Sequence, residues 1–334
     1  MAAVTLHSPV RTRAGVRPAS RPAPAPTRPD VAVPVVTVVI PTRNAARTME
    51  PALTAVRAQH DAAGVPLAVE LVVVDNHSTD ATRTIASRLA DVLLIGGPER
   101  SAQRNHGTEV ASADVIAFVD ADQLLAPTVL AEALACLRAD PGVGVVVLPE
   151  TSFGSGFWAR CRALERRCTM DDPRTEAGRV FRRDAVRQVG GFDERLTAAE
   201  DWDLHDRVVR AGWRVGRTVA GVRHDEGHLT LRGAFTKKRY YGRWLAAYRA
   251  RPDARRSVYS PTRLLRRPQL LLAHPLLAVG MVVLKAAEAL GALAGERAAG
   301  RPGRVEPSLR VGIKTNPGGA DGTGTPVVEH WRRA

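Results

Sequence analysis

The sequence predicts an α/β fold built on a doubly wound, mostly parallel sheet. Short runs of apolar, often β-branched residues recur along the first half of the chain, and a segment with helical patterning lies between successive runs. Apolar runs without alternation indicate strands buried on both faces, and the repeated strand–helix order favours parallel pairing. Ligands of such sheets bind beyond the carboxyl ends of the strands, so the residues that follow each run are candidate site residues.

Five runs are predicted to be strands, and four segments between them are predicted to be helices that cover the sheet. The strands are Val35–Ile40, Val69–Val74, Val92–Ile95, Val115–Val119 and Val143–Leu148. The helices are Ala46–Gln59, Asp80–Leu89, Ser101–Ala111 and Pro127–Leu137. Together they give the order βαβαβαβαβ, which is typical of a doubly wound sheet.

Composition divides the chain into four parts. Residues 1–34 are rich in proline and arginine and poor in large apolar groups, which predicts a disordered basic tail. Residues 35–235 contain the predicted α/β domain, and residues 236–295 form a basic, aromatic and apolar helical extension. Glycine, proline and charge return in residues 296–334, which are predicted to be a flexible tail.

The chain carries 48 lysines and arginines against 34 aspartates and glutamates, a net charge of +14. Such an excess attracts phosphate-rich partners, which include nucleic acid, anionic lipid and nucleotides. Nearly all of it is arginine spread along the chain, and we therefore discount nucleic acid. Cys136, Cys161 and Cys168 include no close pair, so neither a disulfide framework nor a structural zinc site is expected.

Two segments near the C-terminus point to a membrane. Leu270–Leu284 is almost entirely apolar but is interrupted by His274 and Pro275, and falls short of the roughly 20 residues that span a bilayer. It is predicted to be an interfacial or re-entrant membrane helix, or else a pair of core helices. The basic and aromatic stretch Lys237–Trp244 suits a headgroup interface, or else a solvated helix with its rings packed inward.

Polar residues follow the first two predicted strands. Pro41-Thr42-Arg43-Asn44 comes after the first strand, where it forms a βα turn at the sheet edge. Asp75 comes at the tip of the second strand, and is a candidate for ligand contact. Ser78, Thr79 and Asp80 are instead expected to cap the next helix.

Two carboxylates two residues apart, Asp120 and Asp122, follow the fourth strand. An unpaired carboxylate pair at the end of a buried strand is costly, and a divalent cation with oxygen ligands is the simplest compensation. His224, after the short run Val219–Val222, is either a structural histidine or a further metal ligand.

An acidic segment opens a later predicted helix. Gly190–Glu194 leads to Glu200–Leu204, and the helical pattern continues to Ala211. Acidic residues are favoured in the first turn of a helix by the helix dipole, so Glu200 and Asp203 are expected to be capping residues. Asp201 is a candidate general base.

This ordered set of motifs resembles the family 2 glycosyltransferases of the GT-A fold, and the resemblance extends from about Val36 to Thr236. Each motif alone is weakly specific, but their conjunction in the family's order is strong. The matching segments are Val38–Asn44, Val73–Asp80, Ala102–Gly107, Phe118–Asp122, Gly190–Glu194 and Glu200–Leu204.

The resemblance implies roles for individual residues. Asp75 would contact the nucleotide base, Asp120 would lie at the ribose or the metal, and Asp122 would bind Mg²⁺ or Mn²⁺ across the donor diphosphate. Asp201 would be the catalytic base. Asn76 and His77 depart from the family's usual aspartate and glycine, which leaves the donor base open. The remaining expected donor-binding residues are Pro41, Arg43, Asn44 and Arg104.

The implied reaction is the inverting transfer of a sugar from a nucleotide diphosphate to an acceptor hydroxyl or phosphate. A metal suits the growing charge of the leaving group, and Asp201 suits removal of the acceptor proton. Trp202 either stacks on a sugar ring or packs inside the protein. With the C-terminal segments, we expect an enzyme at the cytoplasmic face of the cell membrane, attached peripherally or by a short segment. Its partners would be an anionic membrane surface and a lipid-linked, polysaccharide or other cell-envelope acceptor.

Other functions are less consistent with the sequence. A sugar-phosphate nucleotidyltransferase would carry a glycine-rich loop at Pro41–Asn44, and a dinucleotide-dependent oxidoreductase would carry GxGxxG after the first strand. A non-catalytic nucleotide-sugar-binding membrane scaffold is the remaining alternative. The presence of Asp120, Asp122 and Asp201 together argues against it, because a protein that only binds has no evident need for a base.

Overall fold

The structure, a computed structural model, describes residues 34–173, 175–249, 251, 264, 266–299 and 327–328. For residues 246, 247, 299 and 327–328 it describes the backbone alone. All of these residues belong to one compact unit, Val33–Ala334. The predicted disordered tail, residues 1–34, lies outside the described residues except for Pro34.

The described chain alternates strands and helices in its first half, as the sequence predicts. The strands are β1 (Val36–Thr42), β2 (Val69–Asp75), β3 (Val92–Ile95), β4 (Val115–Phe118), β5 (Gln123–Leu125), β6 (Val143–Val147), β7 (Glu150–Ser155), β8 (Gly178–Arg182), β9 (Arg214–Arg217), β10 (Val222–His228) and β11 (Val327–Val328). The helices are α1 (Ala46–Arg57), α2 (Thr82–Leu89), α3 (Arg100–Val110), α4 (Val129–Ala139), α5 (Gly156–Thr169), α6 (Arg183–Gln188), α7 (Glu200–Arg210), α8 (Leu231–Arg249), α9 (Pro268–Ala273) and α10 (Pro275–Ala299).

Eight strands form the main sheet, in the order β11-β3-β2-β1-β4-β8-β6-β9. The neighbours β3, β2, β1 and β4 are parallel, whereas β8 lies antiparallel between β4 and β6. The predicted α/β class with a mostly parallel sheet is therefore confirmed. The inserted strand β8 was not predicted, because Val180 and Phe181 are its only large apolar residues.

A second, three-stranded sheet has the order β5-β10-β7. Strand β10 is antiparallel to β5 and parallel to β7, so that His224 pairs with Gln123 on one side and Ser152 on the other. The short apolar run Val219–Val222 lies mostly before this strand, and Val219 is 94% exposed. His224 therefore lies within a strand. Because β10 pairs with β5, His224 lies next to the segment that follows β4.

The main sheet separates two apolar clusters, as expected for strands covered on both faces. Val38 and Ile40 of β1 contribute to one cluster, and Val39 between them contributes to the other. Helix α3 packs directly on β1, since a Cβ atom at Gly107 would lie 2.3 Å from Cγ1 of Val39. Glycine at 107 thus permits the close approach that fixes the position of α3.

The C-terminal helices α8 and α10 pack side by side. Their backbones approach closely at glycines, because a Cβ at Gly291 would lie 2.4 Å from the carbonyl oxygen of Phe235, and one at Gly242 would lie 2.4 Å from that of Ala292. Helix α10 is the one described helix that is long and apolar enough to cross a membrane by length and composition. The expected boundary at residue 295 falls inside α10, and Val327–Val328 of the expected flexible tail pairs with β3.

Candidate active site

A cavity of about 520 Å³ opens at the carboxyl ends of β1, β2 and β4, where the sequence predicts a site. Its wall includes several of the predicted donor-binding and metal-binding residues, together with groups from α3 and α8 that were not predicted. The predicted site residues that line the cavity are Pro41, Arg43, Asn44, Asp120, Asp122 and His224. Residues outside that set that also line it include Asn76, Glu99, Arg100, Lys237, Tyr240 and Tyr241.

The loops after β1 and β2 are tied together beside this cavity. Asn44 adopts a left-handed backbone conformation (φ 50°), and its backbone N–H donates to Oγ of Ser78 at 2.7 Å. Its Oδ1 atom accepts from the backbone N–H of Thr79 at 2.8 Å. Ser78 in turn donates its backbone N–H to Oδ1 of Asp75 at 2.8 Å. These bonds hold both loops in one arrangement.

Asp75 is fully buried and is not among the residues that line the cavity. Both of its carboxylate oxygens accept hydrogen bonds from Ser78. The structure therefore shows Asp75 organising the loop after β2, while the next residue, Asn76, faces the cavity. Asn76 is itself oriented by a hydrogen bond from its Nδ2 to the carbonyl of Pro98.

Arg104 lies at the centre of a buried group of carboxylates. Its side chain is fully buried, and Nη2 lies 2.7 Å from Oδ1 of Asp120. Nη1 lies 2.6 Å from Oδ1 of Asp201 and 3.2 Å from Oε1 of Glu200. Burial alone would lower the pKa of Arg104, but the three carboxylates outweigh it and raise the pKa. Arg104 was expected to contact the donor; in the structure its guanidinium is engaged by protein carboxylates instead.

A second arginine, Arg179 of β8, contacts two of these carboxylates through their other oxygen atoms, and also contacts Glu150. Its Nη1 atom lies 3.4 Å from Oδ2 of Asp120 and 3.6 Å from Oδ2 of Asp201, and Nη2 lies 3.2 Å from Oε2 of Glu150. Against the effect of burial, Asp201, Asp120 and Glu150 raise the pKa of Arg179. Arg179 could not be singled out from the sequence, because it is one arginine in a short, unpredicted strand.

Asp120 and Asp201 are thus held by the same two arginines. Burial would raise the pKa of Asp120, but Arg104 and Arg179 outweigh burial and lower it, so Asp120 stays ionised. Burial raises the pKa of the neighbouring Glu200, although Arg100 and Arg104 oppose the shift. The side chain of Asp201 keeps 26% exposure, but Asp201 is not among the residues that line the cavity; the predicted base is anchored by the arginines and only partly buried.

Asp122 lies in a different environment on the cavity wall. Its Oδ2 atom is 3.2 Å from Nε2 of His224, whose Nδ1 atom is 3.2 Å from Oε1 of Glu150. Burial would lower the pKa of His224, but its hydrogen bonds to Asp122 and Glu150 outweigh burial and raise the pKa to about 10. Both ring nitrogens of His224 therefore face carboxylates, which favours the protonated imidazole; to ligate a metal, His224 would first have to lose that proton.

The residues around Asp122 fit a metal ion whose coordination is completed by substrate better than a metal ion enclosed by protein ligands. In the part of the chain that the structure describes, no three His, Cys, Asp or Glu side chains are grouped so as to hold a metal ion. The side chain of Asp122 is 34% exposed on the cavity, and Oδ1 accepts no hydrogen bond from any described residue. Mg²⁺ is commonly held by one or two carboxylates with substrate phosphates completing its shell, and Asp122 suits that role.

Helix α8 supplies a wall of the cavity that carries both rings and charge. Lys237, Tyr240 and Tyr241 line it. The hydroxyl of Tyr240 donates to Glu99, and the guanidinium of Arg100 lies 5.0 Å from the centre of the Tyr241 ring. Part of the basic and aromatic stretch therefore faces the site.

Trp202, by contrast, donates its Nε1–H to the carbonyl of Thr175 at 3.0 Å and packs near Tyr248. It is not among the residues that line the cavity. Of the two roles left open by the sequence, the structure therefore shows packing inside the protein.

Two family models match the chain between residues 37 and 294. A model described as Glycosyl transferase family 2 matches residues 37–190, and one described as Glycosyl transferase family group 2 matches residues 115–294. The first match contains the loops after β1, β2 and β4, and the second contains α7, α8 and most of α10. Between them the two matches include the cavity and its carboxylates.

Several curated proteins have related sequences. The pre-mycofactocin glycosyltransferase of Mycobacterium tuberculosis is 30% identical over 62% of this chain and 46% of its own length. The succinoglycan biosynthesis protein ExoA of Rhizobium meliloti is 28% identical over 54% of this chain and 60% of its own length. The O-antigen chain rhamnosyltransferase RfbN of Salmonella typhimurium is 24% identical over 62% of this chain and 70% of its own length. The match therefore spans about half the length of the first of these relatives.

The chain also matches solved structures over most of its length. The mannosyltransferase PcManGT from Pyrobaculum calidifontis, in complex with GDP-Man and Mn²⁺, is 24% identical over 83% of both chains, with a TM-score of 0.47. Residues 1–349 of S. aureus TarS, in complex with UDP-GlcNAc, are 15% identical over 79% of this chain and 90% of that chain, with a TM-score of 0.46.

Proposed function

We propose that this chain, which belongs to the family 2 glycosyltransferases, moves a sugar from a nucleotide diphosphate donor to an acceptor hydroxyl or phosphate with inversion at the anomeric carbon. The observation that supports this most directly is the pairing of Asp120 and Asp201 through Arg104 and Arg179, next to a cavity into which Asp122 projects. The proposed donor site and the proposed base would then lie close together, held by the same two arginines.

The donor would lie along the carboxyl ends of β1, β2 and β4. Pro41, Arg43 and Asn44 line the cavity after β1, and Asp120 lines it after β4. Asp75 would act on the donor through the loop that it holds, with Asn76 as the neighbour that lines the cavity.

The cations of the cavity suit a diphosphate leaving group. Arg43 and Arg100 line the cavity near Pro41, and Lys237 lines it from α8. Fixed cations that face developing negative charge lower the barrier, because they need no reorganisation during the reaction. Arg104 would contribute indirectly, by holding Asp120 and Asp201 in place.

A divalent cation, Mg²⁺ or Mn²⁺, would be held by Asp122, with Asp120 and His224 as further candidates. Such an ion supplies Lewis-acid stabilisation of the diphosphate when it is bound. In the described structure, Asp120 is engaged by two arginines and His224 by two carboxylates, so Asp122 is the residue we expect to dominate.

Asp201 would accept the proton of the acceptor group. A carboxylate in hydrogen-bond reach of the acceptor can take this proton as the new bond forms, and a single displacement with one base inverts the anomeric centre. Arg104 and Arg179 fix the orientation of Asp201 while leaving part of its side chain exposed.

The acceptor is proposed to be lipid-linked or part of a cell-envelope polysaccharide. Two relatives are named for succinoglycan biosynthesis and for an O-antigen chain, and α10 is apolar enough to contact a bilayer. We place the enzyme at the cytoplasmic face of the cell membrane, with the anionic membrane surface as a partner and no nucleic acid.

A calorimetric titration tests the donor and the metal together. UDP-, GDP- and dTDP-sugars are titrated into the parent and into Asp122→Ala, with Mg²⁺ or Mn²⁺ and then with EDTA. We expect one donor class to bind in a metal-dependent manner and the variant to lose that binding. Absence of binding by every donor would contradict a nucleotide-sugar site.

A further inference from the structure

Helix α10 exposes apolar side chains and packs its charged side chains against the protein. A helix on the surface of a soluble protein does the opposite. Such helices turn their apolar face inward and their charges to water. Between residues 275 and 295 of α10, all described, the exposed large side chains are apolar, with exposures from 43% to 79%. We call this face the apolar stripe; its members are Leu276, Val279, Val282, Val283, Leu290 and Leu293.

The charges of the same segment lie on its packed side. Lys285 and Glu288 are the charged residues between positions 275 and 295. Lys285 Nζ lies 2.8 Å from Oε1 of Glu165 and 2.8 Å from Oε2 of Glu288. Glu288, 5% exposed, also pairs with Arg162 of α5. This network, buried except at Lys285, joins α10 to the domain that contains the cavity.

The packed side of α10 is covered along its length by α5 and α8, two helices that also carry charged side chains. Near its start, a Cβ at Gly280 would lie 2.6 Å from Sγ of Cys161 and from the ring of Phe157, both on α5. Near its end, a Cβ at Gly295 would lie 2.2 Å from the carbonyl oxygen of Arg239 on α8. If α10 crossed a bilayer in this packing, the arginines of α5 and α8 and Glu165 of α5 would enter the hydrocarbon with it, at high cost.

Exposed arginines of α8, the helix packed against α10, supply positive charge that suits an anionic surface. Arg232, Arg239 and Arg243 of α8 are exposed. Basic side chains beside an apolar face favour binding to anionic headgroups while the apolar face enters the acyl region. Charge complementarity therefore favours an anionic bilayer as the occupant of this surface.

We propose that the apolar stripe is embedded in one leaflet of an anionic bilayer, with α10 parallel to the membrane surface and not across it. From Leu276 to Leu293 the stripe extends about 25 Å at about 1.5 Å per residue. This proposal deepens, and rests on, the membrane location proposed above.

The same geometry brings the cavity near the membrane. Helix α8 contacts α10 at Gly242 and contributes Tyr240 and Tyr241 to the cavity wall. Packed helices lie about 8–10 Å apart, so one helix layer separates the cavity from the embedded stripe. A lipid-linked acceptor in the same leaflet is thereby placed within reach of the site.

Vesicle binding of the purified full chain tests the stripe. Vesicles of phosphatidylglycerol and phosphatidylcholine, and of phosphatidylcholine alone, are sedimented with the parent, Val279→Asp and the control Val65→Asp. Val279 is 65% exposed on the stripe, and Val65 is 58% exposed away from it. We expect the parent and Val65→Asp to bind the anionic vesicles, and Val279→Asp to bind about tenfold more weakly. Circular dichroism establishes that each variant is folded.

Labelling of the helix ends separates an in-plane helix from a crossing one. His274→Cys and Arg297→Cys place thiols just before α10 and near its end. Protein bound to the outside of vesicles is treated with a membrane-impermeant maleimide, with the parent giving the background of Cys136, Cys161 and Cys168. We expect both ends to be labelled; protection of one end would show a crossing helix and overturn the proposal.

Two further outcomes would overturn it. The parent could fail to bind anionic vesicles, or light scattering without lipid could show a dimer that Val279→Asp converts to monomer. The second result would assign the stripe to another copy of the chain. Because vesicle binding is measured without a donor, its failure is separate from failure of the proposed transfer, which the calorimetric titration reports.

Discussion

Nη1 of Arg104 lies 2.6 Å from Oδ1 of Asp201, and the guanidinium is fully buried while the carboxylate is 26% exposed. A buried cation therefore holds a carboxylate that is itself partly exposed. The same guanidinium holds Asp120 at 2.7 Å, so the proposed base and the first aspartate of the Asp-X-Asp motif share one anchor.

Asp201→Asn should abolish most transfer without abolishing donor binding. The amide preserves size and polarity but does not accept the acceptor proton, and loss of a general base reduces rates by about 10²–10⁴-fold. Initial rates with the donor identified by calorimetry measure the first effect, and titration of the same donor measures the second.

The control is Asp184→Asn, an exposed aspartate in the first turn of α6. This variant should leave the transfer rate and donor binding unchanged. A loss of donor binding in Asp201→Asn that accounts for the whole decrease in rate would instead assign Asp201 to binding.

Arg104→Met should destabilise the fold strongly. Removal of the cation leaves Glu200 buried, and Asp120 and Asp201 partly buried, without their shared partner. Breaking a buried ion pair typically lowers the free energy of unfolding by about 3–5 kcal/mol. Urea unfolding at neutral pH measures the loss.

Arg88→Met is the comparison for this variant, because Arg88 pairs with Glu50 at 3.9 Å on the exposed surface. Exposed pairs contribute less than about 1 kcal/mol. Equal losses in the two variants would be inconsistent with a central role for Arg104.

The contribution of Glu288 to stability should decrease in acid. Burial would raise the pKa of Glu288, but Arg162 and Lys285 outweigh it and lower the pKa in the folded state. A lowered folded-state pKa gives stability that is complete above the unfolded-state value, near 4.5, and is lost as pH falls below it.

The difference in free energy of unfolding between the parent and Glu288→Gln should therefore shrink from pH 7 to pH 3. Urea unfolding at several pH values measures this difference. A difference that is constant with pH would show that Glu288 gains no net stabilisation from ionisation.

Gly107→Ala should destabilise the packing of α3 on β1. The added Cβ would lie 2.3 Å from Cγ1 of Val39, and overpacking of this kind typically costs about 1–3 kcal/mol. Val39→Ala removes the atom that clashes, so the double variant should be more stable than the sum of the two single effects predicts. Strict additivity in a thermal unfolding cycle would contradict a direct contact.

The sequence predicted the main sheet well because its strands are continuous apolar runs. All five predicted strands and all four predicted helices are present, to within two residues at each end. Strands β5, β7 and β8 were missed because they are short or rich in polar residues, as in Glu150–Ser155. Tertiary pairing, and not local pattern, makes them strands.

The site was predictable in part for the same reason. Residues at strand ends, such as Asn44 and Asp122, were found because topology places strand ends at one edge of a sheet. Arg179 and Glu150 reach the site from the inserted strand and the small sheet, which no local pattern revealed. The inward turn of Asp75 depends on its bonds to Ser78, and a sequence does not display side-chain direction.

The packing of α8 between the cavity and α10 bears on how a shortened form of this protein would behave. A chain ending before Pro268 would lack Gly291 and Gly295, on which the backbone of α8 rests. Helix α8 would lose its neighbour on one side, and the Lys237 and Tyr241 wall of the cavity would loosen with it. Solubility is therefore better sought by exchanging outward-facing residues of α10 than by deleting the helix.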